Sequence, residues 1–396
     1  MRSLRILHVA PYYVDAWAYG GIPRVAGTIA RGLVRRGHQV TVCTTDACDA
    51  RRRLTLTPVG IVDGVEVRVF PNLSNRLAYH AQLFAPRGFR AYLDRHAKKF
   101  DVAHLHACRN LPGVIAARHL TRAGVPYVLA PNGTGAIIER RQLAKWIFDV
   151  AVGARVVAGA SRVLAVSQAE RTQLAGMGVP ETALRVVPNP VDLEEFRAPI
   201  SPGAFRARFQ LPPGPLVMFL GKLTPRKRLD IVAQAMARLQ RPDCHLVIAG
   251  NDMGAGAATR ALIRRLGLDA RTCFTDLLVG RQRLEALTDA DVLVYPSQQE
   301  AFGLVPLESL LCGTPVVVAN DSGCAEVVKA TGGGQIVPVG DPEALAHSIA
   351  RVLDDPEHWR SAAARAVPRI QGLFGADVVC AQLDSLYHDV IAATRA

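Results

Sequence analysis

The stretch PSQQEAFGLVPLESLLCGTPVVV, residues 296–318, decides how the chain is read. The apolar run ADVLVYP reads as a buried strand that ends at Pro296, because proline brings no N–H to a sheet ladder. A polar SQQE loop follows. Pro306 suits a first helical turn, Leu307, Leu310 and Leu311 give an apolar face, and Gly313 stops the helix before the strand-like TPVVVA. Gly303 therefore stands just ahead of a helix start. A residue without a side chain there lets a ligand approach backbone N–H groups, and the helix end adds roughly half a positive charge. That describes an anion site. Glu308 lies inside the same helix, where a carboxylate beside a phosphate makes sense if it accepts hydrogen bonds from a sugar diol, as in dinucleotide folds. A nucleoside phosphate fits both halves.

Two glutamates at this spacing, Glu300 and Glu308, occur by chance in many proteins, so the rest of the chain bears on the reading. At 396 residues it suggests two domains of nearly equal size. With 49% hydrophobic and 20% charged residues it is globular, and no apolar run approaches the roughly 18 residues of a membrane span. RILHVAPYYV near the start is broken by His8 and Pro11 and reads as a first strand. Eight scattered cysteines without a C-x-x-C pair suggest neither a zinc framework nor a disulfide scaffold and predict a cytoplasmic home.

The net charge of +13 lies in the first half, where residues 1–200 hold 27 Lys/Arg against 14 Asp/Glu. Its densest points are Arg35–Arg36, Arg51–Arg53, Lys98–Lys99 and Arg140–Arg141. Such a surface attracts phosphates or anionic lipid, and peripheral contact with the inner face of a membrane is one expectation. Nucleic acid is set aside, since neither aromatic interleaving nor a recognisable module accompanies the charge.

In order, the first half alternates strands near 4–9, 39–44, 65–70, 102–105, 127–130 and 163–166 with helical stretches 22–36, 86–99, 111–122 and 139–158. Alternation of this kind predicts a doubly wound parallel sheet, with ligands beyond the carboxyl ends of its strands. The loops there carry Gly20 and Gly21, His104 and His106 on one face of a strand, and Asn132 in APNGTG. Ser167 and Glu170 read as a capping box. Seven prolines between Pro188 and Pro215 mark a linker, with a hinge near 197–203. The second half restarts with the strand PLVMFLG, after which Lys222, Arg226, Lys227 and Arg228 crowd a helix entrance. Cations oppose the dipole there, so they imply an anion strong enough to outweigh it. The triplet Asp289-Ala290-Asp291 sits at a helix end entering a buried strand and is not read as a metal motif.

The Glu300–Glu308 string resembles the E-x7-E signature of retaining glycosyltransferases of family 4, and the likeness extends through RGHQVTV, SGCAEVV and GGGQIVP over most of the chain. It implies the GT-B fold, α/β with two doubly wound Rossmann-like domains facing across a cleft: an acceptor-side domain 1–197, a nucleotide-sugar domain 198–373, and a final helix 374–396 crossing back. It implies transfer of a sugar from a nucleotide sugar to an acceptor hydroxyl on a glycan, a lipid or a small molecule, without metal or cofactor, the nucleotide sugar being a substrate. Gly20 and Gly21 would face the donor diphosphate and the acceptor, His106 the transferred sugar, and Asn132, where relatives often carry histidine, the acceptor or sugar. Lys222, Lys227 and the backbone of Phe302, Gly303, Leu304 and Val305 would hold the diphosphate, Glu300 the sugar and Glu308 the ribose. Lys222 replaces the usual arginine and Arg228 the usual glycine, which loosens a bidentate contact and alters a helix start. An epimerase or phosphorylase of the same architecture, or a sensor that binds donor without turnover, are the competing expectations.

Overall fold

The computed structural model describes residues 2–55, 57–135 and 142–395. They form two compact units, Met1–Pro190 with Ala376–Ala396, and Val191–Gly375. The divisions differ by a few residues from 197 and 373 because Val191 N–H donates to Phe374 O at 2.8 Å and pairs with Gly375, which ties residues 191–196 to the second unit. Arg140 and Arg141 lie outside the described residues.

The first unit holds an eight-stranded sheet of β1 (Arg5–Val9), β2 (Gln39–Thr45), β3 (Val59–Val62), β4 (Val65–Phe70), β5 (Val102–His106), β6 (Tyr127–Ala130), β7 (Arg162–Ala165) and β8 (Leu184–Val186), in the order β3-β4-β2-β1-β5-β6-β7-β8. Every pairing is parallel except β3 with β4. That hairpin turns on Asp63 and Gly64 at φ 51° and 78°, the two left-handed residues of a type I′ turn. Helices pack on the sheet. Ile22–Arg35 buries Val25, Ile29 and Leu33, and Asn110 caps Leu111–Ala123 by accepting from Gly113 N–H at 2.7 Å. The last helix, Ala376–Arg395, belongs to this unit, and its buried Tyr387 reaches His104 Nδ1 at 2.6 Å.

The second unit holds six parallel strands, β9 (Leu216–Leu220), β10 (His245–Ala249), β11 (Thr272–Asp276), β12 (Val292–Tyr295), β13 (Val316–Ala319) and β14 (Gly334–Val337), ordered β11-β10-β9-β12-β13-β14. The central ones are apolar throughout, as strands covered on both faces must be. Strand order reverses beside the first strand of each unit, between β1 and β5 and between β9 and β12, and the loops leaving those strands diverge to open a crevice.

Beyond β9 and β10 the backbones stay zipped: Gly221 N–H donates to Ala249 O at 2.9 Å and Leu223 N–H to Asn251 O at 3.0 Å. Gly250 makes this approach possible, since at φ 150° a Cβ there would lie 1.8 Å from Gly221 O. Gly250→Ala should therefore move backbone and not merely a side chain, costing about 3 kcal/mol or more. Thermal unfolding of the second unit should fall by roughly 10 °C; an unchanged melting curve would count against the close approach.

Candidate functional site

The second unit gathers most of the candidate residues at its β9–β12 switch. Lys222 and Lys227 leave β9; Glu300, Phe302 and Gly303 leave β12. Lys227 is buried in a short turn, Pro225–Lys227, and donates to the Tyr295 hydroxyl and to Glu300 Oε2 at 2.5 Å. Ser297, fully buried, donates to the same carboxylate oxygen at 2.8 Å. Lys227 also sits 4.4 Å above the Tyr295 ring, which stacks on Phe219. Burial pushes the Glu300 carboxyl up, but the charges of Lys227 and Arg226 and the bonds from Lys227 and Ser297 outweigh it and hold it at about 2. Glu300 is thus ionised at neutral pH.

Glu300 is anchored through its backbone too, its carbonyl accepting from Gly323 N–H at 2.7 Å. Gly303 sits at φ 110° and initiates the helix Leu304–Leu311, and a Cβ on it would meet Cys324 Sγ at 2.5 Å. Helix geometry leaves the Leu304 and Val305 N–H groups without an intrahelical acceptor, and Pro306 has none to offer. Both residues are partly exposed, so this end can receive an anion. The Phe302 ring packs on Phe374 at 5.5 Å in the core, which leaves only its backbone for a ligand. Glu308 is buried in the same helix, with Arg283 Nη1 3.4 Å from its carboxylate; Arg283 in turn bonds Glu195. Lys222 is partly exposed at the end of β9.

Arg228 occupies a left-handed position, φ 53°, as the cap of the helix Leu229–Arg238. Glycine suits that conformation without strain, which accounts for the residue usual there. The guanidinium is turned onto Asp230, at 2.9 to 3.3 Å, so its charge is already paired. Asp289 and Asp291 spend their carboxylates on Gly203, Arg206 and Leu216 backbone N–H groups and on the Arg206 and Arg360 side chains.

In the first unit Gly20, at φ 92°, ends the turn Trp17–Tyr19, and Gly21 caps the helix Ile22–Arg35 with Pro23 at its second position. Asn132 lies at φ 52° just beyond β6 and donates to Ala130 O at 3.2 Å. Its turn is held by Glu170, whose carboxylate accepts from Gly133 N–H at 2.5 Å and Val166 N–H at 2.8 Å while Ser167 caps Glu170 N–H at 3.0 Å. Glu170 therefore ties two loops and is more than a capping residue. Arg109, at φ 54° after β5, binds Asp149 at 2.6 Å and the carbonyls of Thr134 and Gly135. Behind it lies an apolar cavity of about 440 Å³ lined by Leu129, Val156, Val157, Val163, Leu174 and Val179. His106 is buried at the end of β5, bonded through Nε2 to His8 Nδ1 at 3.0 Å. Arg109, Tyr295, Ser297 and Arg283 are not singled out by the sequence, and His8 and Glu170 read there only as a break in an apolar run and a capping residue, because their partners are set by strand register and loop return.

Two open parallel sheets, each with its polar groups at the switch point, are the fold of GT-B glycosyltransferases. Sucrose-phosphate synthase from Thermosynechococcus elongatus shares it at 22% identity and TM-score 0.77, over 99% of this chain and 100% of that one. Anabaena HepE in complex with UDP and glucose does so at 20% and 0.74, over 98% and 100%. The family described as glycosyl transferases group 1 matches residues 204–367, and glycosyltransferase family 4 matches residues 19–195. A D-inositol 3-phosphate glycosyltransferase of Acidothermus cellulolyticus is 32% identical, over 98% of this chain and 90% of its own length, and one of Kineococcus radiotolerans is 31% identical over 89% and 87%. The chain belongs to glycosyltransferase family 4 and is a glycosyltransferase.

The Lys227–Glu300 pair is the part of this site most exposed to test. Its side chains are only 7% and 17% exposed, so removing one partner strands the other charge, a loss of about 3–5 kcal/mol. Lys227→Met should destabilise strongly, and Lys227→Met with Glu300→Gln less than Lys227→Met alone. The carboxyl of Glu300 is depressed on folding, so its stabilisation is present above the unfolded value near 4.5 and is lost as pH falls toward 2. Denaturant titrations from pH 6 to pH 2.5 should show this loss in the wild type and not in the double variant; parallel curves would remove the pair from the account.

Proposed function

We propose that the second unit binds the diphosphate of a nucleotide sugar at the β9–β12 switch and that the enzyme transfers the sugar, with retention of configuration, to an acceptor hydroxyl bound by the first unit. The single observation that carries this reading is the convergence of Lys227, Glu300 and the unbonded helix amides of Leu304 and Val305 at one strand-order reversal. Negative charge grows on the leaving diphosphate as the glycosidic C–O bond breaks. Lys222 and Lys227 would meet it with full charges, and the amides of Gly303 to Val305 with fixed dipoles. Glu300 would orient the donor sugar and Glu308 the ribose diol. His106, Asn132 and the Gly20–Gly21 loop belong to the sugar and acceptor side. Uridine is the favoured base, because HepE of like fold is complexed with UDP and glucose.

Lys222 gives the clean kinetic test, being partly exposed where Lys227 is buried. Lys222→Ala should lower kcat by about a hundredfold, equivalent to about 3 kcal/mol of barrier, while Lys222→Arg keeps most of it. Nucleotide release from UDP-sugars in the presence of acceptor measures this, preceded by a thermal-shift screen of UDP-, GDP-, ADP- and dTDP-sugars. Full turnover in Lys222→Ala would end this assignment, and donor binding without turnover in the wild type would favour the sensor reading.

For the acceptor we propose a lipid-linked molecule at an anionic membrane face of the cytoplasm. The helix Gln142–Phe148 and the turn after it expose Leu143, Trp146, Ile147 and Val150 by 70, 56, 52 and 65%, spaced as one helical stripe. Trp146 is the residue type that settles at the membrane interface. Lys145 and Arg155 flank the stripe, and Asp149 is neutralised by Arg109. The neighbouring apolar cavity suits an aliphatic chain. No described helix is long and apolar enough to cross a membrane, so contact would be peripheral. A soluble phosphorylated polyol is the second reading, supported by the names of the D-inositol 3-phosphate relatives. Sedimentation with phosphatidylglycerol vesicles should retain the wild type and lose Trp146→Ser/Ile147→Ser at least tenfold. Equal retention, or none for the wild type while D-inositol 3-phosphate is glycosylated, would favour the soluble acceptor.

A further inference from the structure

Three buried histidines stand together where β1 and β5 end, and the reaction above uses only one. His8 faces His104 across the two strands, and all three rings are at most 1% exposed. The His104 and His106 rings stack 4.2 Å apart, and His8 lies 5.1 Å from each. Tyr387 reaches His104 Nδ1, while His8 Nδ1 reaches His106 Nε2 at 3.0 Å. The remaining nitrogens, His8 Nε2, His104 Nε2 and His106 Nδ1, have no partner among the described residues. Burial holds all three imidazoles neutral, His106 at about 3 and His8 and His104 well below their usual range, the last two lowered further by the neighbouring His106.

A neutral imidazole has one N–H and one lone pair. The 3.0 Å gap between His8 and His106 holds a single proton, so its side settles both rings at once. If His8 donates from Nδ1, His106 accepts at Nε2 and must carry its own proton on Nδ1. In the reverse case Nδ1 of His106 is a bare lone pair. With Nε2 already occupied, Nδ1 is the only nitrogen His106 can turn to a ligand, and only the first arrangement makes it a donor.

A metal ion is the other way to satisfy such a cluster, since one nitrogen from each ring lies within 4.8 Å of the others. It would displace the shared proton and bury a double positive charge, and no carboxylate among the described residues forms an ion pair with any of the three rings. Desolvating an ion without an opposite charge costs several kcal/mol even after relaxation. Shared protons are the cheaper solution.

We propose that His8 is a positioning residue: by donating from Nδ1 to His106 Nε2 it fixes His106 as the Nδ1–H tautomer, the form that can donate to a hydroxyl of the transferred sugar. The tautomer assignment follows from the role given to His106 in the proposed reaction.

Selective 15N-histidine labelling of the full chain tests it, with the His106 signals assigned by their loss in His106→Asn. The wild type should show a protonated Nδ1 and a bare Nε2 on His106. His8→Phe should shift His106 toward the opposite tautomer and lower kcat at least tenfold with the donor KM within twofold. His8→Asn, which keeps an N–H near the place of Nδ1, should restore both. A proton on Nε2 of wild-type His106, a tautomer unmoved in His8→Phe, or one equivalent of transition metal in the purified protein would overturn the proposal. Should His8→Phe fail to fold, the wild-type spectrum and His8→Asn still decide. Full activity in His106→Asn would instead remove His106 from the reaction and leave the tautomer result standing, so the two failures are distinguishable.

Discussion

Lys227 and Glu300 come from loops that leave neighbouring strands in divergent directions, and the bond between them closes the crevice floor that strand order opens. A lysine this deeply buried is tolerated only with an opposite charge beside it. Glu300 is held in turn by Ser297 and by the Gly323 N–H on its carbonyl, so one pair couples three loops of the second unit. The pair thereby fixes the Lys227 side chain at the floor of that crevice. That rigidity is what electrostatic stabilisation of a leaving group requires, because dipoles and charges that must first turn lose most of their advantage.

The same strand-order reversal is furnished differently in the first unit. Between β1 and β5 stand neutral imidazoles where β9 and β12 carry an ion pair. Three neutral rings can hold proton positions without the desolvation cost of charges, and they report direction instead of sign. Charged groups of that unit hold its loops instead: Arg109 draws Asp149 and the carbonyls after β6 together, and Glu170 gathers the N–H groups of Gly133 and Val166.

How much of this could be read from the sequence follows the range of each interaction. Apolar runs and proline and glycine punctuation placed the central strands and the helix after Gly303, since those signals are local. Strand β3 was passed over although Asp63-Gly64 is a strong hairpin signal, because Pro58 and Gly60 interrupt its apolar pattern. Lys227 and Glu300 were both named, yet not as partners: they are separated by 73 residues and meet only through the β9–β12 pairing. His8 was read as a mere break in an apolar run, and its place against His104 depends on register, which no local pattern states.

Arg228 shows how a departure from a family pattern can be absorbed. A cation at a helix start opposes the dipole, and a side chain at φ 53° adds strain that glycine avoids. Asp230, two residues on and within the first turn, answers both difficulties. Its carboxylate is favourable at that helix end, and it accepts two guanidinium hydrogen bonds that hold Arg228 in place. Arg228 thus carries no net charge to a ligand. Of the basic cluster at this helix entrance, Lys227 is committed to Glu300 and Arg228 to Asp230, so an anion arriving there would have to compete with Glu300 for Lys227 and with Asp230 for Arg228.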